Sequence, residues 1–225
     1  MTLSPAAIKL IAKRSHTLWD KFYVPSKLRS DPVYEAVRQE LSSAPLPVLD
    51  VGCGLGLLTH YLRESGYNVP MTGFDCDQRK IECARTMAGK ASYQDVTFCQ
   101  GDVRQDLPAH SGHVVMLDIL QFMPLTDQVA LLRAAATRVA PGGKLIIRSC
   151  LRDDSQRFQM TVLGDWLAKV TLWMKQGPVA YPSAEDLQSA LGPLGLSLDI
   201  QPLWGGTPFN NHLIVAQRQA SASGS

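Results

Sequence analysis

Along most of this chain, short apolar runs of strand length alternate with stretches of helical period. Val48-Leu49-Asp50-Val51 is apolar except for its acid, and Gly52, Gly54 and Gly56 follow at every second position. Helical spacing begins at once with Leu57-Leu58-Thr59-His60-Tyr61-Leu62. The pattern predicts a buried strand, a turn without side chains, and a helix over 57–64 closed by Gly66. Further runs predict strands over 69–75, 96–100, 113–118 and 145–148, with helices over 78–88 and 128–139 between them. Strands alternating with helices make a parallel sheet covered on both faces. The chain closes with a strand pair, 196–203 and 211–217, joined by a hairpin-like link, which predicts an antiparallel edge.

Two regions stand outside this alternation. At the front, Ser4 caps a helix in which Pro5 takes the first turn and Ile8, Ile11, Leu18 and Phe22 recur near helical spacing. Asp31 and Pro32 start a second helix, reaching about Leu41. The second region is 151–182, where Asp154 or Ser155 caps a helix carrying Phe158, Val162, Trp166, Val170 and Trp173, widened by Leu163, Leu167 and Met174, with Gly164 as a place to bend. That stripe is either core or a lid over a large apolar substrate, and a lid resting on a membrane surface fits the same pattern. The expected organisation is one domain over 1–225: a helical cap (1–46), a ligand-binding core (47–150), an inserted lid (151–182), a C-terminal helix capped by Ser183 with the strand pair (183–219), and a tail (220–225).

Composition narrows the classes. With 225 residues, 45% of them hydrophobic and 19% charged, the chain can bury a sizeable core. A net charge of +2 with no basic run argues against nucleic acid. Lys9, Lys13, Arg14, Lys21, Lys27 and Arg29 face the single acid Asp20 in the first thirty residues or so, either a solvated face or a basic cap for an acidic substrate, a carrier protein or a membrane surface. The five cysteines form no Cys-x-x-Cys pair, and Lys9, Lys13 and Arg14 interrupt any signal-like apolar core. No run has the length of a membrane span. The expected compartment is the cytoplasm.

The glycine spacing carries the chemistry. Dinucleotide sites use Gly-x-Gly-x-x-Gly so that pyrophosphate meets a helix N-terminus. Here Asp50-Val51-Gly52-Cys53-Gly54-Leu55-Gly56 places a carboxylate at the mouth, which repels pyrophosphate and suits a ligand carrying ammonium or sulfonium charge. A second acid, Asp75, ends the next strand where a carboxylate accepts both ribose hydroxyls. Asp77 caps the following helix, and Gly101-Asp102-Val103 and Asp118 follow the third and fourth strands.

The glycine turn resembles the first motif of the class I methyltransferases that use S-adenosylmethionine. That resemblance implies a Rossmann-like seven-stranded α/β sheet, mostly parallel with an antiparallel last strand and helices on both faces. It implies cofactor contacts from Asp50, Gly52, Cys53, Gly54, Gly56 and Asp75, with Asp102 near the adenine amino group and Val103 against the ring. Asp118 either holds the methionine ammonium, orients substrate, or caps a turn. Ala140-Pro141-Gly142-Gly143-Lys144 before an apolar strand is another feature of that family.

Substrate contacts are expected from Trp19, Tyr23, Gln121, Phe122 and Trp166, and a base from among His16, Tyr23, Asp118, Tyr181 and His212, none singled out by its context. His110 and His113 lack further ligands nearby, so no metal is expected. Residues 26–32, 164–169 and 203–211 are similar to the small methyltransferases of bacterial aryl polyene pigment biosynthesis, which implies an aryl acceptor, free or carrier-bound. A quinone, lipid or other small acceptor is the alternative. A nicotinamide-dependent oxidoreductase and a non-enzymatic interaction protein are the rival classes.

Overall fold

The structure, a computed structural model, describes residues 3–15, 17–170 and 177–218. Its centre is β1 (Val48–Val51), buried along its whole length. Parallel strands flank it, β2 (Met71–Asp75) on one side and β4 (His113–Leu117) on the other, with Val51 level with Phe74 and Met116. Beyond them lie β3 (Val96–Gln100) and β5 (Lys144–Cys150), both parallel. The last two strands are β6 (Leu196–Pro202) and β7 (Asn211–Arg218), and the full order is β3-β2-β1-β4-β5-β7-β6. The chain winds outward to β3 and then returns to β4, so a crevice opens over the carboxyl ends of β1 and β4.

The antiparallel strand is β7, bonded to β5 on one side and to β6 on the other. It therefore lies inside the sheet, and β6 forms the edge. Burial explains the choice: Leu213 to Ala216 are sealed on both faces, whereas Asp199 and Gln201 of β6 face water. β2 starts at Met71, two residues later than the pattern predicts. Pro70 has no N–H for a ladder, although its carbonyl accepts a bond from Val48 N.

Helices cover both faces. Val48, Val115 and Ile146 pack against α1 (Pro5–Arg14), α3 (Val33–Leu41) and α4 (Leu57–Glu64). Leu49, Met116 and Leu145 pack against α6 (Leu125–Ala136) and α8 (Ala184–Leu191). The helix α5 (Gln78–Lys90) is capped by Asp77 as expected and lies beside β3, placing Ile81 and Ala84 under Phe98. Ser183 and Asp186 form a reciprocal capping box on α8. Among the described residues no helix is long and apolar enough to cross a membrane.

Several helix boundaries differ from the pattern. The first segment is two helices, α1 and α2 (Leu18–Ser30). Ser15 ends α1 by turning both its N–H and its hydroxyl onto the carbonyl of Ala12, and the Thr17 side chain caps α2. The break resets the phase, so Phe22, expected in an apolar stripe, is 76% exposed. The Asp31 carboxylate accepts from Val33 N, and α3 begins one residue after Pro32. α6 begins at Leu125, since the Pro124 carbonyl takes the first helical bonds, and Thr126 and Asp127 sit in its first turn. The inserted helix α7 (Gln156–Val170) starts under the Ser155 hydroxyl, and at Gly164 the Phe209 ring comes so close that a Cβ would lie 2.9 Å from it. Trp173, Met174, His16, the tail and the side chains of Trp166, Leu167 and Val170 lie outside the described residues.

One buried charge cluster fastens the front helices to the sheet. Arg148 of β5 is 4% exposed. Its Nη1 donates to both Asp31 oxygens at 2.6 and 2.7 Å, its Nε to Asp118 at 2.7 Å, and its Nη2 to the other Asp118 oxygen. Lys27 adds a second cation to Asp31 at 2.7 Å. Burial pushes the Asp31 carboxyl up, but Arg148 and Lys27 outweigh it and hold it below its ordinary value. Burial likewise works against the Arg148 charge, and the two carboxylates overcome it.

Arg148→Met leaves Asp31 buried without its main cation and should lower the unfolding free energy by about 3 kcal/mol in urea titration. Lys27→Ala, at a partly exposed pair, should cost under ~1 kcal/mol. The Arg148→Met deficit should shrink in acid: Asp31 is depressed in the folded state, so the stability it contributes is present above the ordinary carboxylate range and lost as pH falls below it. An equal deficit at neutral and acid pH would assign the loss to packing instead.

Candidate active site

The turn after β1 is left-handed three times, with φ of 78° at Gly52, 54° at Gly54 and 71° at Gly56. Only glycine takes this shape without cost. A Cβ at Gly52 would meet Ile119 at 2.2 Å, and one at Gly56 would meet Phe98 at 2.7 Å, whereas at Gly54 it would point into open space. The outer glycines thus let neighbouring elements close in, and the middle one exposes main chain to the crevice. Gly52 N and Cys53 N donate to the Phe74 carbonyl at 2.7 and 3.1 Å, tying the turn to β2. No side chain caps α4, so its first N–H groups remain open to a ligand.

Two carboxylates face this turn. Asp75 accepts from Gly54 N at 2.9 Å through Oδ2 and from Asp77 N at 2.8 Å through Oδ1. Each oxygen keeps a second lone pair for an incoming hydroxyl. Asp50 is 3% exposed and has no hydrogen-bond partner among the described residues. Burial, and then the nearby Asp75 charge, push its pKa to about 7. An unpartnered acid beside another carboxylate is electrostatically incomplete, and a ligand cation completes it. The chemistry therefore fits S-adenosylmethionine, whose ammonium and sulfonium supply positive charge and whose ribose supplies hydroxyls. Burial pushes the Cys53 thiol well up, so it stays protonated and unreactive.

The remaining expected cofactor residues are more engaged. Asp102 accepts from Arg104 N at 2.9 Å and from the Arg104 guanidinium at 2.5 to 3.1 Å, an Asx turn with a clamp upon it. Arg104 holds the Asp102 carboxyl below its ordinary value. Val103 packs against the core beside it. Asp118 sits at the end of β4 with φ of 58° and enters the crevice already bound to Arg148.

Of the residues expected to meet the acceptor, Gln121 and Phe122 lie in a 3-10 turn following β4. The Gln121 carbonyl accepts from Val179 N at 2.7 Å and Ala180 N at 3.3 Å, which ties the segment before α8 to the rim. Its side-chain Oε1 is buried with no partner among the described residues, an acceptor awaiting a donor. Tyr181 meets Phe158 of α7 edge-on at 5.4 Å. His212 opens β7 opposite Ser149. Trp19 and Tyr23 stand at the surface of α2, while His16 and the Trp166 side chain lie outside the described residues. His110 and His113 are held by backbone groups, the former on the His113 carbonyl and the latter between Ala44 O and Lys144 N.

Three participants escaped the sequence reading. Arg148 had a signal, since a cation inside the apolar run Leu145-Ile146-Ile147 demands a buried partner. Asp31 was legible only as a cap. Asn210, 1% exposed and bonded to Leu151 O and Asp153, had no local signal, because its partners come from distant segments.

A family model described as a methyltransferase domain matches residues 42–187. The ubiquinone biosynthesis O-methyltransferase of Paracidovorax citrulli (strain AAC00-1) is 27% identical over 172 residues, 72% of this chain and 68% of its own length. That of Xanthomonas euvesicatoria pv. vesicatoria (strain 85-10) is 31% identical over 140 residues, 61% of this chain and 56% of its own length. Of the second relative, then, this chain spans little more than half. Among solved structures, magnesium protoporphyrin IX methyltransferase (ChlM) from Synechocystis PCC 6803 with bound SAH has a TM-score of 0.66 at 19% identity, covering 91% of this chain and 89% of that one. A methyltransferase from Clostridium acetobutylicum ATCC 824 has a TM-score of 0.68 at 11% identity, covering 91% of this chain and all of that one. At such identities these two structures share the fold. The family match takes in the glycine turn, both crevice acids and the turn after β4, and the chain belongs to the methyltransferase domain family as an S-adenosylmethionine-dependent enzyme.

Proposed function

We propose that this enzyme transfers the methyl group to a hydroxyl of a small, hydrophobic, aromatic acceptor. The observation that carries the reading is the rim at Gln121: the aromatic edge of Phe158 and Tyr181, brought there by the bonds of Val179 and Ala180 to the Gln121 carbonyl, and the unpartnered Gln121 Oε1, which suits a flat apolar molecule with one donor group. The O-methyltransferase names of the curated relatives point the same way. Within this class, an aryl polyene precursor, free or carrier-bound, follows from the similarity of residues 26–32, 164–169 and 203–211. A quinone precursor follows from the relatives. Mass spectrometry of extracts from a deletion strain separates the two: accumulation of a quinone intermediate lacking one methyl group would set aside the aryl polyene reading, and an unmethylated aryl pigment the quinone.

For the cofactor, we assign Asp50 to the ammonium, Gly52, Cys53, Gly54 and Gly56 to the backbone cradle, Asp75 to the ribose, and Asp102 with Val103 to the adenine. Asp118 then serves the rim through Arg148 and leaves the ammonium to Asp50. The bound cofactor supplies an electrophilic methyl on a positively charged sulfur. The chain's contribution is alignment and exclusion of water, worth several kcal/mol when two reactants are held in line.

Two outcomes test the cofactor assignments. Asp75→Ala should weaken S-adenosylmethionine binding in calorimetry by about tenfold or more, since a charge-assisted hydrogen-bond pair is lost; unchanged affinity rules out the ribose role. Asp50→Asn should show a pH signature. The folded-state value of about 7 lies above the ordinary carboxylate value near 4, so the ligand-free protein loses stability as pH rises between the two. The variant should melt level with the wild type near pH 4 and a few degrees above it at pH 8. It should also bind S-adenosylmethionine more weakly at pH 8, where the wild-type carboxylate is charged. A variant that melts in parallel with the wild type across this range would place Asp50 in an ordinary solvated setting.

A further inference from the structure

We propose that His212 is the general base of this enzyme, its Nε2 taking the proton from the acceptor hydroxyl. The inference rests on the hydroxyl acceptor proposed above. Because β7 runs antiparallel, its first residues reach the same edge of the sheet as the last residues of β5: Asn211 lies opposite Cys150 and His212 opposite Ser149. At that edge β1 delivers the glycine turn and β4 delivers Asp118.

The ring is set for the role. His212 Nδ1 lies 3.0 Å from the Asn210 carbonyl. A carbonyl only accepts, so Nδ1 carries the hydrogen and Nε2 the lone pair. Nε2 has no hydrogen-bond partner among the described residues, although the ring is only partly exposed. Asn210 is itself locked: its N–H donates to Thr161 Oγ1 at 2.8 Å on α7, and its Nδ2 donates to Leu151 O and Asp153 Oδ2, both at 2.9 Å. The imidazole also meets Trp204 edge-on at 6.4 Å. Two charged groups surround this assembly. The Asp153 carboxylate, which accepts from Asn210 Nδ2, lies near the His212 ring. The Arg157 guanidinium is held over the Trp204 ring at 4.2 Å and on the Thr207 carbonyl at 2.9 Å.

Other described groups are placed against the role. His60 is sealed within α4, His113 opens β4 at the far edge, and His110 rests on the His113 carbonyl. Asp118 is bound to Arg148. In the proposed step the acceptor O–H breaks and its proton passes to Nε2. The oxygen's electron pair bonds the methyl carbon as the carbon–sulfur bond breaks. That bond's pair stays on sulfur, cancelling its charge, and the imidazolium then releases its proton to water.

The test compares wild type, His212→Gln and His212→Ala on two probe phenols, catechol and the more acidic nitrocatechol, with radiolabelled S-adenosylmethionine. Binding of S-adenosylhomocysteine, followed by calorimetry, should stay within about twofold in both variants, since the cofactor contacts are untouched. Methyl transfer to catechol should fall by ~10²–10⁴, the usual contribution of a positioned base. Transfer to nitrocatechol, which ionises unaided, should fall far less, and the variants' catechol rate should keep climbing with pH after the wild type has levelled. Equal losses on both phenols, an unchanged catechol rate, or lost cofactor binding would each overturn the role. A wild type that binds S-adenosylhomocysteine yet methylates neither phenol would instead overturn the hydroxyl acceptor, and the base with it.

Discussion

The Arg148 guanidinium is the joint on which the ligand edge of this protein depends. It follows the apolar run Leu145-Ile146-Ile147 of β5, and it is bound by one carboxylate from the segment ahead of α3 and another from the end of β4. A planar fork can satisfy both at once, which a lysine in the same place could not. The three groups come from distant parts of the chain, so their pairing fixes how the front helices sit on the sheet. It also holds Asp118 in its left-handed backbone shape, and that shape directs the chain into the turn carrying Ile119, Gln121 and Phe122. Ile119 in turn fills the space beside Gly52. A buried ion cluster of this kind adds little net stability over an apolar one, because desolvation offsets the attraction. What it adds is a defined geometry at the carboxyl edge of the sheet.

Asp50 shows the opposite treatment of a buried acid. Nothing among the described residues neutralises it, and its neighbour Asp75 is a further carboxylate. The enzyme therefore keeps one acid internally matched and another waiting. The matched one adjoins the turn after β4, and the waiting one is the acid proposed for the cofactor ammonium. The strand positions of the two make the division possible, since β1 ends at the glycine turn whereas β4 ends beside β5, where Arg148 stands.

Much of this was legible along the chain. The period-two glycines, set against the x-x-Gly spacing of dinucleotide sites, already separated a sulfonium ligand from a pyrophosphate, and strand ends at Asp75 and Gln100 could be placed to the residue. Such signals are local: apolar runs, turn residues and caps act within a few positions. The misplacements have the same origin. The break between α1 and α2 rests on Ser15 folding onto Ala12, a three-residue event hidden inside a continuous apolar spacing. The interior position of β7 is set by burial on two faces, which depends on what packs above and below. Arg148 and Asn210 each take their partners from segments tens of residues away, so no window on the sequence contains the reason for them.

The parts outside the sheet converge on one side of the crevice, and this bears on where specificity resides. The loop after β6 places Gly205 against Pro32 at the start of α3, so that a Cβ there would come within 3.2 Å. The same loop lays Phe209 on Gly164 of α7, and Asn210 joins α7 through Thr161. Front helices, inserted helix and C-terminal strands thus share contacts through that loop, while the glycine turn and its acids lie on the sheet itself. The residues proposed for the cofactor contribute backbone shape and short side chains on the sheet, apart from these additions. The residues proposed for the acceptor lie on or against three additions that touch one another, so under that proposal a change in one shifts the others, and the acceptor side can diverge while the cofactor side stays constant.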